Sequence, residues 1–162
     1  MKKYILLLAS VIICLQSFSQ IENTLQKANT LASKCLSSNA DIYAECLGEA
    51  NEMYKTAYSE FLADPHSREK ISDLDYARMM FHVGYYIYLN ENIYNNIPYY
   101  DSAMNIYATF DKLDDNDVWR CFEMLDVLNA YYSYDNIDYK KTSAICAAKC
   151  RFHKEIPQDA IL

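Results

Sequence analysis

The chain has 162 residues, a formal net charge of −7 and a hydrophobic fraction of 52%. This fraction supplies enough apolar side chains for a buried core and excludes wholesale disorder. With two glycines and three prolines, the chain lacks the turn residues of an all-β fold and the glycines of a phosphate-binding loop. It also lacks a basic cluster outside its first residues, so nucleic acid is not an expected partner.

The first residues have the pattern of a secretory signal peptide. Lys2 and Lys3 precede an apolar run over residues 4–15, and the small residues Ser17 and Ser19 then stand at positions −3 and −1 of a cleavage site. We therefore predict a signal peptide over residues 1–19, and an exported, periplasmic or secreted, single domain over residues 20–162 with a net charge of −9. The run is shorter than the roughly 20 residues that span a bilayer, so no span is expected after cleavage. An uncleaved anchor is the alternative.

Apolar residues recur at intervals of three and four through the mature chain, which predicts an all-α fold of six helices. Ser72 with Asp75, and the acidic run 114–117, are candidate caps for helix starts. The predicted helices cover residues 22–37, 41–63, a segment from between 65 and 73 to Asn90, 98–113, 118–133, and a final segment to about Glu155.

Short connections pair these helices into three antiparallel hairpins, over residues 22–63, 68–113 and 117–155. The second helix of each hairpin repeats a small residue followed by residues four and seven positions later, a spacing that suits close packing on the first helix. The three copies are Ala50, Tyr54 and Ala57; Ala103, Tyr107 and Phe110; and Ala144, Ala148 and Arg151. The last two copies are 41 residues apart, and self-similarity at a fixed period of this length is typical of a helical solenoid.

The middle hairpin resembles a tetratricopeptide repeat (TPR), through Val83-Gly84 in its first helix and Ala103, Tyr107 and Phe110 in its second. The spacing from Gly84 to Ala103 is longer than in that family. The resemblance implies a short superhelix whose first helices line a concave peptide-binding groove. An irregular six-helix bundle is the alternative.

In the TPR-like arrangement, the first helices would expose four residues along the groove: Arg78, His82, Tyr85 and Arg120. These are the candidate binding residues. A terminal hairpin without a polar closing helix would leave an apolar end, which predicts a possible homodimer. A strict monomer in light scattering at high concentration would contradict that prediction.

The cysteines are centred on two predicted turns, and exported proteins commonly form disulfides. Cys35 and Cys46 are equidistant from the first turn, and Cys121 and Cys150 from the last. Residues equidistant from the turn of an antiparallel hairpin face each other, so Cys35–Cys46 and Cys121–Cys150 are the predicted disulfides. Cys146 can replace Cys150.

Two alternatives for the cysteines stay open. Cys121, Cys146, Cys150 and His153 have a set of donors that would suit tetrahedral zinc, although in an unfamiliar spacing. The other alternative is that all five cysteines of the mature chain are buried free thiols. Disulfides are preferred because of the predicted export, so no metal or other cofactor is expected.

No serine, cysteine or histidine stands in a recognisable nucleophile motif, so no catalytic residue is predicted. The expected function is an exported, non-enzymatic helical module that binds a protein or peptide. A small secreted hydrolase with an unrecognised site, or a structural assembly subunit, are the alternatives.

Overall fold

The computed structural model describes residues 20–35, 40–91 and 94–153. The predicted signal peptide lies outside the described residues. Within them the fold is all-α, as predicted, and no strand occurs. The helices are α1 (20–35), α2 (Ala40–Ala63), α3 (Ser67–Lys70), α4 (Asp73–Asn90), α5 (Ile97–Tyr107), α6 (Asp115–Ala130) and α7 (Tyr139–His153), with a π-helical turn at Tyr131–Asp135 after α6.

The predicted count of six helices is wrong, because the described residues contain seven. The additional helix is the single turn α3. Ile71 follows it in an extended conformation (φ −116°, ψ 147°), which interrupts the helical backbone. The Ser72 hydroxyl then accepts a hydrogen bond from the Asp75 backbone N–H at 3.0 Å, so the predicted cap at Ser72 starts α4.

Helix α5 ends at Tyr107 and not at the predicted Leu113. Its last carbonyls are taken by a tight turn, in which the Thr109 backbone N–H and hydroxyl both donate to the Ile106 carbonyl, at 2.9 and 2.7 Å. Because the Ile106 carbonyl accepts these hydrogen bonds, the helix can end at Tyr107 without leaving that carbonyl unsatisfied.

The chain divides into two compact units, the first ending at Asp75 and the second beginning at Tyr76. None of the helices among the described residues is both long enough and apolar enough to cross a bilayer.

In the first unit, α1 and α2 run antiparallel. Cys35 is bonded to Cys46, the Tyr54 hydroxyl donates to the Asn29 amide oxygen at 2.5 Å, and the Gln20 amide donates to Glu60 at 3.0 Å. Residues earlier in α1 therefore contact residues later in α2, as antiparallel helices require. Small residues let the two backbones approach closely, and four of them are completely buried: Ala28, Ala32, Ala50 and Ala57.

In the second unit, the core is built from α4, α5 and α6. Gly84 in α4 lies against the Tyr100 ring of α5, so close that a Cβ atom on it would come within 2.7 Å of that ring. Ala103 and Tyr107 of the middle repeat are completely buried. The third copy of the repeat differs, since Ala144 is exposed. Stacking of the hairpins as a solenoid therefore stays a prediction.

Candidate functional site

The four candidate binding residues lie along the seam between α4 and α6 in the second unit. Arg78, His82 and Tyr85 follow one another at intervals of four and three on α4, which places them on one face of that helix. Arg120 lies on α6, and its Nε atom donates to His82 Nε2 at 3.3 Å. The structure thus brings three of the four residues into one cluster, with Tyr85 at its edge.

The centre of the cluster is Asp117, in the first turn of α6, whose side chain is completely buried. Its carboxylate accepts from four donor atoms: Arg78 Nε at 3.0 Å and Nη2 at 2.6 Å, Arg120 Nη1 at 2.9 Å, and the Tyr107 hydroxyl at 3.0 Å. Four charge-assisted or buried hydrogen bonds satisfy this carboxylate, which is the condition under which a buried charge is tolerated.

Asp114 supplies the second carboxylate of the cluster. Its Oδ1 caps α6 by accepting from the Asp117 backbone N–H at 2.8 Å, and its Oδ2 accepts from Arg78 Nη2 at 2.9 Å. Two arginines therefore face two aspartates. We call Arg78, His82, Tyr107, Asp114, Asp117 and Arg120 the ionic cluster.

Burial sets the protonation of the neutral members of the ionic cluster. Desolvation, reinforced by the positive charges of Arg120 and Arg78, lowers the pKa of His82 well below its usual value. His82 is therefore neutral, as its acceptance of the Arg120 N–H requires. Desolvation, and then the charge of Asp117, raises the pKa of Tyr107 well above its usual value. Desolvation opposes the charge of Arg78, but its bonds to Asp117 dominate and raise its pKa.

The ionic cluster joins three helices, because Arg78 and His82 lie on α4, Tyr107 on α5 and Asp117 on α6. Its charges are compensated internally. The expected exposure of a groove does not hold for His82 and Arg120, which are 0% and 2% exposed. Arg120 can be buried because the Asp117 carboxylate compensates its charge. His82 can be buried because it is neutral and accepts a hydrogen bond from Arg120.

An aromatic group continues the seam beyond the ionic cluster. The buried Phe81 ring stacks on Tyr85 and Tyr100, with centroids 5.8 and 6.0 Å away, and meets Trp119 edge-on at 5.8 Å. The Arg120 guanidinium lies 6.0 Å from the centroid of the Phe81 ring. Aromatic pairs at these distances stabilise beyond the area that they bury.

At its solvent edge this group presents Tyr85, Tyr88 and Glu123, which we call the aromatic corner. Tyr85 is half-buried, and its ring lies 6.3 Å from that of Tyr88, which is exposed. Burial, followed by the charge of Glu123, raises the pKa of Tyr85. Glu123 therefore lies close to Tyr85. Partial desolvation and the charge of Asp126 raise its own pKa, and no ion pair to Glu123 occurs among the described side chains.

The sequence patterns missed Asp117, Tyr88 and Glu123 as members of this seam. The acidic run predicts helix capping for Asp117 and its neighbours, but the residue that caps α6 is Asp114. Glu123 lies three residues after Arg120 and Tyr88 three residues after Tyr85. This helical spacing was the available signal, since residues three apart share a face.

The first predicted disulfide is confirmed. Cys35 and Cys46 form a disulfide with a Cα–Cα distance of 5.5 Å. Cys121 is completely buried, but the side chains of Cys146 and Cys150 lie outside the described residues, so the second disulfide stays a prediction. Among the described side chains, no group of three or more metal-binding residues is placed to hold an ion.

A cavity of about 220 Å³ lies between α5, α6 and α7. Its lining is mostly apolar and includes Met104, Leu125 and Ile145. At its rim, Asp101 accepts from the Tyr132 hydroxyl at 2.5 Å and from Lys141 Nζ at 2.7 Å. These rim groups satisfy each other.

Comparison of the chain with protein-family models, curated proteins and solved structures finds no match.

Proposed function

We propose that this protein is an exported, non-enzymatic, TPR-like helical module that binds a partner protein or peptide at the aromatic corner. The observation that carries the proposal is the Glu123 carboxylate close to Tyr85, next to the exposed ring of Tyr88, with no ion pair to it among the described side chains. Tyrosine is enriched at binding surfaces, because its ring offers rigid apolar area and its hydroxyl a hydrogen bond.

Charge complementarity indicates the partner. The ionic cluster compensates its own charges, whereas Glu123 has no ion pair among the described side chains and can attract an external cation. An arginine or lysine side chain can lie over the tyrosine faces and pair with Glu123 at once. We therefore propose a partner segment that carries a basic residue.

The ionic cluster supports this function indirectly. It fixes α4 against α6 through Arg78 and Asp117, which holds Tyr85 and Glu123 on opposite sides of one seam. A binding surface on a rigid scaffold loses less conformational entropy when the partner docks. The close approach of Gly84 to Tyr100 supports a TPR-like packing of α4 and α5. The saturated carboxylate of Asp117 favours a binding module over the hydrolase alternative.

The proposal is tested with an array of synthetic peptides that scan arginine and lysine through defined sequences, followed by titration calorimetry on the best peptide. Glu123→Gln and Tyr85→Ala should each weaken binding by about tenfold or more, as central interface residues do. Replacing the basic residue of the peptide by citrulline should weaken it similarly.

Matched controls are Asp111→Asn and Tyr134→Ala, which remove the same groups at exposed positions of the second unit. Both should bind like the unchanged protein. If no peptide binds, or if all four variants bind equally, the aromatic corner is not a binding site. Export is tested separately by mass spectrometry of the protein from its native host, where a chain retaining Met1 would contradict signal cleavage.

A further inference from the structure

We infer that the first unit contains a second binding site, a cavity at the start of α1 that takes an ammonium group. The cavity has a volume of about 310 Å³. Its lining includes four polar residues, Gln20, Glu60, Asp64 and Ser67, and three apolar ones, Ile21, Ala63 and Pro65.

Two buried polar atoms of lining residues have no hydrogen-bond partner among the described residues. Ser67 is 1% exposed, and its hydroxyl makes no hydrogen bond. The Oε2 atom of Glu60 is buried and also makes none. Burying a polar group without a partner is costly, so native structures usually satisfy such atoms with protein, water or ligand. Two such atoms around one cavity therefore indicate an occupant.

The charges around the cavity indicate a monocation. Asp64 pairs with Lys70, and this pairing lowers the pKa of Asp64. Among the described residues, Glu60 has neutral donors only: its Oε1 accepts from the Gln20 amide at 3.0 Å, and the Thr24 hydroxyl lies 3.5 Å from it. One uncompensated negative charge thus remains at the cavity.

The hydrogen-bonding capacity of the two atoms indicates an ammonium group. A carboxylate oxygen only accepts, whereas a hydroxyl can accept or donate. An ammonium group has three N–H donors and no acceptor, so it can satisfy Glu60 Oε2 and the Ser67 hydroxyl together. The apolar lining suits the carbon atoms attached to the nitrogen. Among the described side chains, no group of three acidic, histidine or cysteine residues is placed to hold a metal ion here.

Two sources can supply this group. One is a free primary amine. The other is the α-ammonium that cleavage after Ser19 would create on Gln20, whose side chain already contacts Glu60. This second source depends on the proposed export, whereas the first does not.

The experiment uses protein that begins at Gln20, prepared with a free and with an acetylated α-amine. The probe is n-butylammonium, and butanol at the same concentration is the neutral control. Binding is followed by two-dimensional NMR and by the Tm. If a free amine is the ligand, butylammonium raises the Tm of both forms and butanol does not. Glu60→Gln should weaken butylammonium binding by about tenfold or more.

If the α-ammonium is the ligand, acetylation lowers the Tm of the unchanged protein but not that of Glu60→Gln, and butylammonium binds only the acetylated form. Ser67→Ala provides a second variant with the carboxylate intact, and should weaken binding less. Glu49→Gln is the control for loss of an exposed carboxylate on α2. No response to butylammonium together with no effect of acetylation would overturn the inference, since water would then satisfy both atoms.

Discussion

Arg78 in α4 and Asp117 in α6 are joined by two parallel contacts, Nε to Oδ1 at 3.0 Å and Nη2 to Oδ2 at 2.6 Å. The guanidinium and carboxylate planes thus meet as a bidentate pair, the geometry in which arginine binds a carboxylate most strongly. The Asp117 carboxylate is buried, so its negative charge is stabilised only by the groups that donate hydrogen bonds to it.

Asp117→Asn should destabilise the protein by about 3 kcal/mol or more, because it leaves the Arg78 and Arg120 charges without their buried counter-ion. Urea unfolding followed by circular dichroism measures the change. Asp115→Asn is the matched control, since Asp115 is exposed in the same helical turn. Equal effects of the two substitutions would show that the buried pair adds nothing to stability.

Stability should fall as the pH drops below about 6.5, because His82 stays neutral in the folded protein and accepts a proton once unfolded. The lowered pKa of His82 means that the unfolded state binds more protons in this range. The expected slope is about 1.4 kcal/mol per pH unit below the unfolded pKa.

This slope should be smaller in His82→Gln and unchanged in His66→Gln, a substitution at an exposed position. If His82→Gln does not fold, NMR of the His82 ring in the unchanged protein replaces it. A ring resonance that titrates near pH 6.5 in the folded state would contradict the prediction.

Gly84→Ala should destabilise the protein by about 1–3 kcal/mol, the usual cost of forcing an extra methyl group into a packed core. The added Cβ would lie 2.7 Å from the Tyr100 ring and 3.1 Å from the Tyr99 Cβ. Gly48→Ala is the paired experiment, because a Cβ there meets nothing within 4 Å. It should stabilise α2 by up to about 1 kcal/mol. Thermal unfolding of both variants would reveal whether the two effects have the expected opposite signs.

Reduction of the Cys35–Cys46 disulfide should cost about 2–4 kcal/mol of stability, since it releases a constraint on the unfolded chain. The double variant Cys35→Ser with Cys46→Ser should show a similar loss and no further response of this bond to reductant. Peptide mapping without reduction identifies the bond directly, and also tests the predicted Cys121–Cys150 disulfide. Failure to recover a peptide joining Cys35 to Cys46 would contradict the first assignment.

The helices and the first disulfide followed from local patterns in the sequence. Apolar periodicity placed the end of α2 and both ends of α6 to within three residues. Distance from a turn identified Cys46 as the partner of Cys35, because an antiparallel pair of helices fixes which positions face each other. Ser72 was recognisable as a cap because its hydroxyl acts within one turn.

The candidate site was only partly predictable. Periodicity put Arg78 and His82 on the same helical face, but it does not report what lies opposite that face. Their burial depends on Asp117, which is 39 residues from Arg78 in sequence. Glu60 and Ser67 were missed for the same reason, since an unpartnered atom can be recognised only once its neighbours are known.

The Cys35–Cys46 bond also gives α1 and α2 a second covalent link besides the backbone between them. A protease that cuts any peptide bond between these two cysteines leaves both fragments joined through sulfur. Such a nicked chain would migrate as one species in electrophoresis until a reductant separated it into two. The backbone between these helices can therefore be severed without loss of α1.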